Sequence, residues 1–137
     1  MRTLIVDDST ARFLLQEMIA HLGSNEVAAN GEEGLRAFLR AHAEGAPYDL
    51  ILLDVMMPVM DGLTALREIR KQEEAMGINP MSRVRIIMVT ASNSPETVRA
   101  AYSKNHHADG YLVKPVDKFL VMEVIRSVMS SSRDQRG

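Results

Sequence analysis

Leu50-Ile51-Leu52-Leu53-Asp54 is four aliphatic residues closed by a carboxylate. A strand with one wet face alternates apolar and polar residues. An unbroken apolar run marks a strand buried on both faces, as in a parallel sheet. Four more short runs share this character: Leu4-Ile5-Val6, Val27-Ala28-Ala29, Ile86-Ile87-Met88-Val89 and Tyr111-Leu112-Val113. Helical spacing fills the intervals. Ala11, Leu14, Leu15, Met18, Ile19 and Leu22 form one stripe, stopped by Gly23. Leu35, Phe38 and Leu39 form a second, preceded by the capping pair Asn30 and Glu33. Leu63, Leu66 and Ile69 follow Asp61. Ser94-Pro95 opens a fourth helix carrying Val98, Ala101 and Tyr102. Val121, Val124, Ile125, Val128 and Met129 follow Asp117.

The order is therefore (βα) five times. Right-handed crossovers place helices on both faces of one parallel sheet. The weaker runs at 27–29 and 111–113 suit edges and the richer runs the centre. That is consistent with a doubly wound α/β sheet of strand order 2-1-3-4-5, flavodoxin-like. Residues 1–129 form one domain and 130–137 a polar tail.

With 137 residues and no Cys, the chain can bury about two-thirds of its unfolded surface without disulfides or a structural metal. Its opening has a charge at position 2 and two carboxylates after three apolar residues, which is not the pattern of a signal peptide. No apolar run approaches the roughly 18 residues a membrane span needs. A net charge of −2 with mixed signs does not favour nucleic-acid binding. The expectation is a cytoplasmic protein with no nucleic-acid or membrane partner.

In an open parallel sheet, ligands bind outside the carboxyl ends of the strands, where strand order reverses. Strand 1 ends in Asp7-Asp8, strand 3 in Asp54, strand 4 in Thr90 and strand 5 in Lys114. Strands 1 and 3 flank the reversal, so three carboxylates should converge. Two unit charges about 5 Å apart repel by ~3 kcal/mol at an effective dielectric near 20. Such a cluster needs a cation, and an all-oxygen donor set suits Mg²⁺ or Mn²⁺. With an ammonium from Lys114 and a hydroxyl from Thr90, the set suits phosphoryl transfer, and the central Asp54 can serve as nucleophile. Asp61-Gly62 reads as a cap and turn. His21, His42, His106 and His107 lack partner spacing and read as surface. Met56, Met57 and Met60 read as loop packing.

The chain resembles the response-regulator receiver family of two-component signalling, in its single-domain, chemotaxis-regulator-like form. Leu4-Ile5-Val6-Asp7-Asp8-Ser9 matches the family's acidic opening, and Asp54-Val55-Met56-Met57-Pro58-Val59-Met60-Asp61-Gly62 its phosphoacceptor loop. Thr90-Ala91 and Lys114-Pro115 match its remaining pairs. The resemblance covers roughly residues 2–129. It implies that Asp54 accepts a phosphoryl group from a histidine kinase or histidine phosphotransfer protein. Asp7, Asp8, Asp54 and the Met56 backbone carbonyl would hold Mg²⁺. Thr90 and Lys114 would contact the phosphoryl oxygens, Ala91 would keep the entrance open, and Tyr111 would be the aromatic switch. It further implies a cis Lys114-Pro115 bond, and a switch rather than an enzyme, supporting its own Mg²⁺-dependent phosphorylation and dephosphorylation. The output would be a protein contact, with a second copy of the chain one candidate for the 95–130 face. The connection Ser9-Thr10-Ala11-Arg12 looks short for the family, which bears on where the first helix starts and on Asp8.

Two other classes share parts of this pattern. A dehalogenase-type phosphatase needs a second Asp two residues after its nucleophile, where this chain has Met56. A flavodoxin-like carrier needs a Ser/Thr/Gly-rich phosphate loop after strand 1, where this chain has two carboxylates. Phe13 lies opposite Leu15 and Met18 at 100° per residue and is expected to be exposed, a candidate for kinase docking.

Overall fold

The computed structural model describes residues 1–91 and 108–130. Five parallel strands, β1 (Thr3–Val6), β2 (Asn25–Ala28), β3 (Leu50–Asp54), β4 (Arg85–Thr90) and β5 (Gly110–Val113), form one sheet in the order β2-β1-β3-β4-β5. The described helices are α1 (Ala11–Ile19), α2 (Gly31–Ala43), α3 (Gly62–Ala75) and α4 (Lys118–Ser130). The expected helix after Ser94-Pro95, with His106, His107 and tail residues 131–137, lies outside the described residues.

The apolar runs work as two-faced strands. Leu4, Val6, Ile51, Leu53, Ile86 and Met88 face one way and pack with Phe38 of α2 and Leu66 and Ile69 of α3. Ile5, Leu50, Leu52, Ile87, Val89 and Leu112 face the other way, onto Leu15 and Ile19 of α1 and Val121, Ile125 and Val128 of α4. Burying each such aliphatic side chain contributes about 1.5–3 kcal/mol, so these two cores dominate the favourable side of folding.

The expected caps hold. The Glu33 N–H donates to the Asn30 side chain at 2.9 Å, that of Thr64 to Asp61 at 2.8 Å, and that of Leu120 to Asp117 at 2.9 Å. Gly23 sits at φ +139° after a 3-10 turn that ends the first helix. Several local expectations are corrected. β2 spans 25–28 rather than 27–29. Its polar start, Asn25-Glu26, is tolerated because an edge strand has solvent beside it. Leu14 is half exposed: it lies off the line of Leu15 and Ile19 that faces the sheet. His42 is only partly exposed and packs edge-on against the Phe38 ring, centroids 4.8 Å apart.

Candidate functional site

The strand order sets the site. β1 and β3 are neighbours in register, Val6 opposite Leu53, so Asp7 and Asp54 emerge side by side at the carboxyl rim. One carboxylate oxygen from each of Asp7, Asp8 and Asp54 lies within 4.8 Å of the others. Asp7 and Asp54 are buried and Asp8 is exposed. From β5, the Lys114 ammonium reaches over the rim, 3.1 Å from Asp7 Oδ2 and 3.4 Å from Asp54 Oδ2. Thr90 is fully buried at the end of β4, and its carbonyl accepts the Lys114 backbone N–H at 2.7 Å. The Lys114–Pro115 peptide is cis, as expected.

The charges do not balance. Among the described residues, three carboxylates share one ammonium. Burial, and then the neighbouring Asp7 charge, push the Asp54 carboxyl above its ordinary range, against the pull of Lys114 and of the Met56 N–H. Burial alone would lower the Lys114 pKa; the carboxylates of Asp7 and Asp54 beside it outweigh this and raise it. Asp7 Oδ2 is buried and accepts no hydrogen bond, so its contact with Lys114 is an ion pair of poor hydrogen-bond geometry. A buried oxygen left with spare lone pairs, amid a surplus of negative charge, fits a hard divalent cation.

The chain's residues 3–126 match the model of the response regulator receiver domain. The chain belongs to the response regulator receiver family. The chemotaxis protein CheY of Halobacterium salinarum is 33% identical over 131 residues, spanning 95% of this chain and 98% of that protein. Among solved structures, chemotaxis protein CheY4 of Vibrio cholerae superposes with a TM-score of 0.74 at 32% identity, covering 93% of this chain and 97% of that one. CheY in the CheX-CheY-BeF3-Mg complex of Borrelia burgdorferi gives 0.78 at 30% identity, covering 96% and 90%. This chain is thus a receiver domain of two-component signalling, similar to these proteins.

In this receiver the segment from Asp54 to Gly62 is tightly held. A Cβ on Gly62 would lie 2.1 Å from the Asp54 carbonyl oxygen, so only glycine lets α3 begin against the backbone of that residue. The Gly62 N–H closes the loop onto the Val55 carbonyl at 2.9 Å, and Gly31 of α2 donates to the Met60 carbonyl at 3.1 Å. Between these ties the Met60 N–H donates to the Pro58 carbonyl at 2.7 Å and forces Val59 to φ +68°. A β-branched residue held there is strained by about 1–2 kcal/mol. Met57 and Met60 pack on the core as expected. Met56 does not: its side chain is largely exposed beside the site.

One buried charged group was not expected. Arg70 Nη1 donates to Glu73 Oε1 at 2.7 Å and to the Val84 carbonyl at 2.8 Å, and Nη2 donates to Asp109 Oδ2 at 3.0 Å. The Val84 and Ile86 N–H groups donate to Glu73 and Asp109 at 2.8 and 2.9 Å. The network lies at the amino ends of β4 and β5, away from the carboxylates. Its sequence signal is the α3 stripe itself: stepping four residues from Leu66 and Ile69 lands on Arg70 and Glu73.

Proposed function

We propose that this receiver is a phosphorylation-controlled switch whose acceptor is Asp54. An Asp54 carboxylate oxygen attacks the phosphorus of a phosphohistidine, the P–N bond breaks with its electron pair going to that nitrogen, and neutral imidazole leaves, keeping the proton already on its other ring nitrogen. Asp7, Asp8, Asp54 and the Met56 carbonyl would hold Mg²⁺ (or Mn²⁺), which neutralises phosphoryl charge when bound. Lys114 and Thr90 supply an ammonium and a hydroxyl to the phosphoryl oxygens, and small, exposed Ala91 leaves the entrance clear. The donor would be a histidine kinase or phosphotransfer protein, and the domain supports labelling and hydrolysis without being a turnover enzyme. The observation that carries this reading is the convergence of Asp7, Asp8 and Asp54 with Lys114 at one rim. Intact-mass measurement with acetyl phosphate should show one acid-labile phosphoryl group per chain with Mg²⁺ and none in EDTA. Labelling that ignores EDTA, or many turnovers of the donor, would sink it.

Docking is supported by apolar surface beside the rim. Phe13 is 56% exposed as expected, with Leu14 beside it, in the first turn of α1; Phe119, 70% exposed, and Leu120 occupy the first turn of α4. The two helices pack on one face of the sheet. An interface aromatic cut to alanine commonly costs more than about 1–2 kcal/mol. Phe13→Ala should therefore slow transfer from the cognate kinase about tenfold while acetyl-phosphate labelling proceeds as in the wild type. Equal losses in both assays would assign Phe13 a structural role.

Switching would run through Thr90 and Tyr111. Thr90 follows Ile86 and Met88 on the same face of β4, and Tyr111, half buried, packs on that face from β5. Thr90 gains a hydrogen bond by moving toward a phosphoryl oxygen, and Tyr111 turns inward behind it, altering the face a target protein or second copy reads. Residues 95–107 of that face lie outside the described residues. Beryllofluoride should shift the NMR signals of both side chains. Full occupancy of Asp54 with neither shifted would rule out this route. As family relationship suggests, the partners would be cytoplasmic proteins.

A further inference from the structure

We infer that Ser9 is a positioning residue that fixes the plane of the Asp7 carboxylate and ties the first turn of α1 to the cation site; this rests on the cation-binding reading above. The two oxygens of Asp7 have divided roles. Oδ1 accepts both the Ser9 N–H at 2.7 Å and the Ser9 hydroxyl at 2.6 Å. Oδ2 accepts no hydrogen bond and faces the site. Two donors on one oxygen hold the carboxylate so that the other is aimed at the cluster. Without the hydroxyl, the Ser9 N–H alone leaves the carboxylate freer to rotate about that single bond.

The same hydroxyl serves α1. The residue at the formal cap, Thr10, makes no side-chain capping bond. Instead the Ala11 N–H donates to Ser9 Oγ at 3.2 Å. One chain of hydrogen bonds therefore runs from the Ala11 amide through Ser9 Oγ to Asp7 Oδ1, and each link polarises the next. A cation held by Asp7 would draw charge from its carboxylate, change Oδ1 as an acceptor and be felt at the start of the helix that carries Phe13. The short connection makes this reach: α1 starts at Ala11, two residues past Ser9.

The test uses the full chain and Mn²⁺ alone, read by electron paramagnetic resonance of the free ion, with no phosphoryl donor present. It is therefore independent of whether Asp54 accepts a phosphoryl group. Partners that orient a metal ligand commonly contribute 10–100-fold to affinity. With the Ser9 N–H retained, Ser9→Ala should weaken Mn²⁺ binding about tenfold and Ser9→Thr should restore it. The Ala11 amide should gain hydrogen-exchange protection on metal binding in the wild type and not in Ser9→Ala. Ser9→Gly, which costs little at helix starts, gives the same reading should Ser9→Ala fold poorly. Wild-type affinity in Ser9→Ala or Ser9→Gly with only a lowered melting temperature would make Ser9 a helix cap and nothing more. A wild-type chain that binds no Mn²⁺ would overturn the inference together with the cation site.

Discussion

Asp54→Asn should abolish phosphoryl uptake: one group per chain in the wild type, none in the variant, by intact mass after acetyl phosphate and Mg²⁺. The amide keeps the shape of the side chain and can still accept from Lys114, but it is no nucleophile. The same substitution should make the metal-free protein more stable at neutral pH. The Asp54 carboxyl is held above its ordinary range by burial and by Asp7, so the folded state binds its proton more tightly than the unfolded state. Such a group costs nothing below the unfolded carboxylate pKa; its cost grows as pH rises from there to the folded value and is constant above it. The stability gain of Asp54→Asn should therefore be full at neutral pH and vanish in acid, below the ordinary carboxylate range. Denaturant melts of both proteins across that range check the sign. Stoichiometric labelling of the variant would move the acceptor elsewhere.

Arg70→Ala should destabilise the fold severely while leaving the carboxyl rim untouched. It strips a guanidinium from two buried carboxylates, Glu73 and Asp109, and removes the bond it donates to the Val84 carbonyl. Removing one member of a buried ionic group costs about 3–5 kcal/mol, because the remaining charge stays out of water. Domains hold only about 5–15 kcal/mol in total, so the variant should sit near the edge of folding at 37 °C. Apolar replacement of the whole group would not restore it fully. Glu73 and Asp109 also accept the Val84 and Ile86 N–H groups, and aliphatic side chains would leave both amides unsatisfied. Urea denaturation measures the loss; a change below about 1 kcal/mol would show that water or neighbouring groups compensate the charge.

The contrast between these two sites explains what the chain discloses as text. Asp7, Asp54, Thr90 and Lys114 each terminate an apolar run, and strand order alone decides that the carboxylates and the ammonium meet. Their convergence was therefore legible once the runs were read as parallel strands. The Arg70 group was not. Arg70-Lys71-Gln72-Glu73-Glu74 reads as a solvated helix face with an ordinary i,i+3 pair, and Asp109 reads as a turn residue. Their place on the stripe of Leu66 and Ile69 sets them apart from Lys71 and Glu74, but that the stripe is buried this far along α3 is a tertiary fact. Leu14 erred in the opposite direction: helical spacing includes it in the stripe, but α1 meets the sheet along Leu15 and Ile19, with Met18 and Leu22 at their flank. Ser9 stands in the sequence only as the end of the acidic opening; its two bonds to Asp7 depend on the turn geometry after β1.

The sheet also divides the molecule into two sealed compartments. Its wall is apolar on both sides, with Leu4, Ile51 and Ile86 on one and Ile5, Leu52 and Ile87 on the other, all essentially without solvent contact. No side chain passes through such a wall, and parallel ladders hold its backbone from both flanks. News from the α1 and α4 room can reach the α2 and α3 room only around the wall's edges. At the carboxyl edge, three carboxylates and a lysine drawn from β1, β3 and the end of β5 stand within the same few ångströms.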